Sequence, residues 1–267
     1  MPTSLIAGRT EWRDGRATPG TRALAEEKAV AISYNGSTHA VLMATPDDLE
    51  DLAVGFSMTE GIVDTLAAIE SVDVLSFDEG FDVQVRVRDD IAARLAQRRR
   101  TMAGPVGCGL CGLESLEAAT RKPVPVTATQ TFTPRDITRA MHSMQSYQVL
   151  NHETSAVHAA GFFLPGSDAR LVREDVGRHN ALDKLIGALI RDGQSASEGG
   201  FIVTSRVSVE LVQKAAVARC GLIAAISAPT AYAVRAGQEA NVTIVAVVRD
   251  DAFEVFTHPH RVTPGAS

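Results

Sequence analysis

The chain has 267 residues, 45% of them hydrophobic and 22% charged, with a formal net charge of -6. That length supports one large or two small domains with real cores, and the acidic balance argues against wholesale binding of nucleic acid or of an anionic membrane, while leaving room for a local basic pocket. The opening stretch from Met1 to Arg9 is too poor in apolar residues for a signal peptide, and no apolar run is long enough to span a bilayer. With only three cysteines, the expectation is a cytoplasmic protein, in a compartment where a closely spaced thiol pair is more often reactive than structural.

Residues 1–25 are polar and mixed and include Pro19-Gly20; they read as a loose arm. Residues 29–34 and 39–44 alternate as strands around Asn35-Gly36, a strong hairpin signal. Thr45-Pro46-Asp47-Asp48 then opens a helix that places Leu49, Leu52, Ala53 and Phe56 on one face, and Glu60-Gly61 closes it. A second hairpin is expected from 72–75 and 81–87 around Asp78-Glu79-Gly80. Residues 91–100 read as a helix whose basic end, Arg98-Arg99-Arg100, suits a C-terminus; contact with an anionic partner is the alternative.

Next comes Gly107-Cys108-Gly109-Leu110-Cys111-Gly112. A disulfide can close across this spacing, and either sulfur can attack a group carried by the other. Glycine before, between and after the thiols lets a large partner approach the backbone. The following Leu113-Glu114-Ser115-Leu116 reads as a helix start, whose positive end favours thiolate. The competing reading is half of a structural zinc site, which needs a second pair or two well-spaced histidines. Cys220 is the one other cysteine, and in Ala218-Arg219-Cys220-Gly221 it reads as a buried thiol at a helix end capped by Gly221.

Thr133-Pro134-Arg135-Asp136 starts a helix that runs to about Tyr147. Residues 157–164 form an apolar strand, turned by Pro165-Gly166, with 169–173 returning. Strands at 201–204, 222–226 and 242–248 then alternate with helices at 208–219 and 229–240. This order, with continuous apolar strands, predicts a mostly parallel buried sheet covered by helices. Ligands of such sheets sit beyond the strand C-terminal ends. There the loops begin at Ser205-Arg206, Ser227-Ala228 and Arg249-Asp250.

Arg173-Glu174-Asp175-Val176-Gly177 leads into a helix with Leu182, Leu185, Ile186 and Leu189 on one face. Glu174 and Asp175 are placed to cap it. Arg178, His179, Asn180, Asp183 and Lys184 crowd its first turn and a half; they either line a pocket or form a solvated first turn. His39, His142 and His152 lie in polar surroundings and read as exposed. His158, inside an apolar strand, reads as a satisfied core histidine. His258-Pro259-His260-Arg261 is a rigid polar loop that contacts a nucleotide or simply ends the fold.

Together these stretches resemble the FdhD family, the formate dehydrogenase accessory sulfurtransferases. The likeness covers about 29–261. It rests on Thr45-Pro46, Gly55-Phe56 and Glu60-Gly61, the cysteine stretch, His158-Ala159-Ala160, the run from Glu174 to Lys184, Ser205-Arg206-Val207-Ser208 with Gln213-Lys214, and Phe256 to Arg261. The resemblance implies a cytidine deaminase-like α/β fold: a central mixed sheet with helices on both faces, plus a smaller N-terminal α/β portion. The expected division is a loose arm over 1–25, the N-terminal portion over 26–125 ending in the cysteine loop, and the C-terminal domain over 126–267.

The resemblance also implies a sulfur carrier. Such proteins take sulfane sulfur from a cysteine desulfurase and pass it to the molybdenum cofactor, a bis-molybdopterin guanine dinucleotide, that formate dehydrogenase requires. Cys108 is the expected persulfide carrier; independently of the resemblance, a second thiol at Cys111 can resolve it by attacking the Cys108 sulfur. The cofactor-binding segment falls on Val247, Val248, Arg249, Asp250, Asp251 and Ala252, with Arg206, Arg178 and Lys184 as further cationic candidates. GDP would mimic the nucleotide end of the acceptor. A homodimer is implied, with no nucleic acid, membrane or structural metal. Two departures bear on the nucleotide pocket: Thr154-Ser155-Ala156 replaces a common Thr-Gly upstream of the strand histidine, and a glycine common before Arg206 is absent. Deamination is disfavoured, since no histidine has Glu two places on and Pro105 stands three residues before Cys108. The competing functions are a dithiol oxidoreductase and a molybdenum-cofactor-binding chaperone without sulfur transfer.

Overall fold

Three β-sheets organise the computed structural model, which describes residues 2–102 and 124–265. The first is a ribbon of β1 (Ser4–Arg13) and β2 (Arg16–Ala25), paired from Ser4↔Ala25 to Arg13↔Arg16. This corrects the expected loose arm. Asp14-Gly15 turns the ribbon with φ of 51° and 74°, the twin positive angles of the tight hairpin turn that this dipeptide favours. The signal was in the sequence, at a place where mixed polarity hid the strands.

The second sheet contains β3 (Lys28–Tyr34), β4 (Ser37–Ala44), β5 (Ile69–Phe77) and β6 (Gly80–Val87), in the order β4-β3-β6-β5. Both expected hairpins form, and β3 joins them by pairing with β6 in parallel. Val30, Ile32, Val83 and Val85 point to one face. There they pack against Leu52, Ala53 and Phe56 of α1 (Leu49–Thr59) and Ile91 and Leu95 of α2 (Asp89–Met102). Each of the larger side chains among them stabilises the fold by roughly 1.5–3 kcal/mol.

The third sheet has six strands: β7 (His158–Phe163), β8 (Ala169–Asp175), β9 (Gly200–Val203), β10 (Leu222–Ala225), β11 (Thr243–Arg249) and β12 (Ala252–Val255). Their order is β12-β11-β10-β9-β7-β8. The expected parallel core is β9-β10-β11, flanked by antiparallel β7 and β12, so the sheet is mixed. Alternation along each strand splits its side chains between two faces. Phe162, Phe201, Ile223 and Ile244 meet α5 (Arg178–Arg191), α6 (Val209–Val217) and α7 (Ala231–Ala240). Phe163, Ile202, Leu222 and Val245 meet Ile137, Ala140 and Met144 of α3 (Pro134–Met144). Thr133 and Asp136 cap α3 reciprocally, each side chain accepting from the other's backbone amide. A short helix, α4 (Val149–Thr154), follows α3.

The two larger sheets are joined through α1 and α5. A Cβ on Gly55 would lie 1.8 Å from the Asp183 carbonyl oxygen, and one on Gly187 would lie 1.9 Å from that of Asp51. Only glycine permits helices this close. The layers therefore run from the four-stranded sheet through α1 and α5 to the six-stranded sheet, with α3 outermost.

Candidate functional site

β8, β9, β10 and β11 all run the same way, because β7 is antiparallel to both β8 and β9. Their C-terminal ends, and the start of β7 at His158, therefore share one edge of the sheet. Backbone contacts bind the loops there into a row. Ala159 N donates to Thr204 Oγ1 (2.9 Å) and Thr204 N donates to the Ala159 carbonyl (3.1 Å). Ile226 N donates to the Val203 carbonyl, and Thr230 N to that of Val207. Arg249 Nη1 donates to the Ile226 carbonyl (2.6 Å). From β8 to β11 the row crosses four interstrand spacings, about 19 Å.

Arg178, Arg206 and Arg249 all stand on this row. Among the described residues, none of the three has a carboxylate within ion-pair distance. Arg206 and Arg249 are exposed. Arg178 begins α5, and its Nε is enclosed without a hydrogen-bond partner among the described residues. Val247 sits at an irregularity between Ala246 and Arg249, with φ of 56°. A β-branched residue in that region is strained by about 1–3 kcal/mol, and such strain concentrates at ligand-binding positions. Val248 is buried and Val247 half-buried, while Asp250 and Asp251 make the exposed two-residue turn into β12, where Ala252 is also exposed.

The polar cluster at the head of α5 divides in two. Lys184 Nζ lies 2.8 Å from Asp175 Oδ2, both fully buried, and donates to the Thr45 carbonyl at 2.9 Å. Asp175 also accepts from Thr45 N, Gly177 N and Asn180 Nδ2. Asp183 pairs with Lys214 at 2.9 Å and accepts from Thr59 Oγ1. Burial pulls the Lys214 pKa down, but Asp183 and Glu60 beside it more than offset this, so it stands above an ordinary lysine. These residues fasten α1 to α5. Lys184 is thereby removed from the cationic candidates, since its ammonium is spent on partners inside the protein.

Arg178 and His179 remain open. His179 Nε2 lies 3.4 Å from Ser208 Oγ and 3.9 Å from the Glu210 carboxylate. Burial lowers the pKa of His179, and Arg178 lowers it further. The same two causes lower that of His158, which is half-buried at the sheet edge rather than in the core. Glu174 and Asp175 do not cap α5, whose cap is Gly177. Glu174 instead accepts from Leu150 N and Asn151 N, both at 2.8 Å, at the start of α4.

A family model described as the FdhD/NarQ family matches residues 25–263. The chain belongs to the FdhD/NarQ family. A relative from Agrobacterium fabrum is 51% identical over 255 residues, covering 95% of this chain and 94% of its own. One from Cupriavidus necator is 44% identical over 266 residues, covering 100% and 92%. Both bear the name sulfur carrier protein FdhD. A crystal structure of a putative formate dehydrogenase accessory protein from Desulfotalea psychrophila shares the fold, with a TM-score of 0.78 at 24% identity over 98% of this chain and 100% of that one.

In this FdhD/NarQ chain, Cys108 and Cys111 lie outside the described residues. Cys220 is fully buried, and its thiol is pushed up to about 12 by burial. It follows α6, but the left-handed residue there is Arg219 (φ 62°) and not Gly221. Gly221 allows a close approach instead: a Cβ there would lie 3.0 Å from Ala128 Cβ. His39 is not exposed but packs edge-on against Tyr34 and Phe56. His258 to Arg261 lies at the opposite edge of the sheet, where Arg261 donates to the Ala128 carbonyl and to Thr243 Oγ1. Among the described residues no group of His, Cys, Asp and Glu is placed to hold a metal, and no helix is long and apolar enough to cross a membrane.

Proposed function

We propose that this protein is a sulfur carrier in formate dehydrogenase maturation. It accepts sulfane sulfur from a cysteine desulfurase as a persulfide on Cys108 and delivers it to the molybdenum cofactor, bis-molybdopterin guanine dinucleotide, bound as acceptor. The reading includes a cytidine deaminase-like kinship of the fold, a cytoplasmic location and a homodimer. Relatives named as sulfur carriers support it. The observation that carries it is the gathering of Arg178, Arg206 and the Val247–Ala252 segment at one sheet edge. A long, anionic nucleotide ligand needs such a row of unneutralised cations.

The chemistry needs two thiols. Cys108 thiolate attacks the outer sulfur of the desulfurase persulfide, and the desulfurase thiolate leaves. Cys111 thiolate then attacks Cys108 Sγ and expels the terminal sulfur as hydrosulfide. The two thiols are oxidised to the Cys108–Cys111 disulfide as that sulfur gains two electrons, and an external dithiol resets the pair. The test is incubation with a cysteine desulfurase and cysteine, followed by intact mass and a formate dehydrogenase sulfuration assay. Wild type and Cys111→Ala should each gain one sulfur, about 32 Da, and Cys108→Ala none. Cys111→Ala should fail to sulfurate the acceptor. A dithiol oxidoreductase would gain no sulfur, and a cofactor chaperone would keep activity in Cys108→Ala.

A further inference from the structure

We propose that Arg178, His179 and His158, at the head of α5, form a cradle for a phosphate group. This deepens the reading above by assigning one end of the sheet edge to the phosphates of the nucleotide-bearing acceptor.

Arg178 Nε carries the argument. It is shut away from solvent, yet it has no acceptor among the described residues. An enclosed donor left unmatched costs about 1–3 kcal/mol, and a charged one calls for an anionic partner. Among the described residues, neither nearby acid is hydrogen-bonded to it. Asp175, a buried acid three positions before Arg178, is already engaged by Lys184, Thr45, Gly177 and Asn180. Glu210 leans on His179 at 3.9 Å and feels the Arg178 charge, but it lies outside ion-pair distance of that guanidinium.

Apart from the Glu210 carboxylate, which lies beside His179 Nε2, the neighbouring side chains can donate. His158 and His179 both feel the Arg178 charge, and each neutral imidazole offers one N–H. Gly177 brings no side chain to cap α5, a helix of 14 residues, so its positive end faces the same place. A guanidinium, two imidazoles and a helix start suit the several oxygens of a phosphate. Ser208 Oγ, 3.4 Å from His179 Nε2, fixes the orientation of that ring and leaves Nδ1 as its other polar atom.

Inorganic pyrophosphate, GDP and guanosine, each titrated into the full chain by calorimetry, test this. Pyrophosphate and GDP should bind wild type, and guanosine should bind far more weakly. Arg178→Met should weaken pyrophosphate by roughly tenfold or more and His179→Gln by less, with thermal unfolding unchanged. Arg178→Lys keeps the charge but lacks the Nε donor, and it should also weaken binding; it serves if the methionine variant fails to fold. Undiminished pyrophosphate affinity in a folded Arg178 variant, or no binding to wild type, would overturn the proposal. Failure of sulfur delivery with pyrophosphate binding intact would sink the carrier reading and leave the cradle standing.

Discussion

The two edges of the six-stranded sheet treat their polar groups in opposite ways. At the edge where β11 begins, Arg261 donates to the Ala128 carbonyl and to Thr243 Oγ1. Beside it, Thr257 Oγ1 donates to the Val242 carbonyl and accepts from Ile244 N. Asn241 Nδ2 meets the Val126 carbonyl at 2.7 Å. The polar groups of Arg261, Thr257 and Asn241 there are matched within the protein. At the edge where β11 ends, Arg206 and Arg249 face solvent, Arg178 Nε is unmatched among the described residues and Val247 is strained. Arginines occur at both edges, so residue type does not separate a structural role from a binding one; their partners do.

Breaking the support beneath the open edge should have the largest effect. Gly55→Ala drives a methyl into the Asp183 carbonyl, so α1 and α5 must separate. The expected loss is about 3 kcal/mol or more, measured by urea unfolding, and insoluble protein would agree with it. A variant as stable as wild type would contradict the helix contact. Lys184→Met comes next. It strands the buried Asp175 carboxylate and should cost about 3–5 kcal/mol, with the Asp175→Asn, Lys184→Met pair recovering part of the loss. No recovery in the pair would mean that Lys184 acts outside this ion pair.

At the closed edge, Arg261→Met removes three hydrogen bonds from a buried site. It should lower stability by about 1–3 kcal/mol and leave GDP affinity alone. A weaker GDP complex there would erase the contrast between the edges.

Much of this was legible in the sequence. Strands buried on both faces read as continuous apolar runs, which is why β9, β10 and β11 and the helices between them stand near their expected places. The loops at Ser205, Ser227 and Arg249 could be placed on one edge from that pattern alone. Pairing between distant strands leaves no such trace, so β3 beside β6 and β7 beside β9 emerged only with the structure. The run from Arg178 to Lys184 shows the same limit. Its five polar residues look alike in sequence. Asn180, Asp183 and Lys184 point inward because Met43, Thr45 and Thr59, more than a hundred positions earlier, supply their partners. Among the described residues Arg178 and His179 have no such distant partners and stay open. His158 read as core because its strand is apolar, but it is the first residue of β7 and so stands at the rim.

The most direct test of the open edge is GDP binding to wild type and to the Arg206→Gln, Arg249→Gln double variant, by calorimetry on protein whose thermal unfolding is unchanged. Loss of roughly tenfold or more in affinity is the predicted result. Equal affinity in the two proteins would mean that the nucleotide of the acceptor binds elsewhere, and the account of this edge would fall.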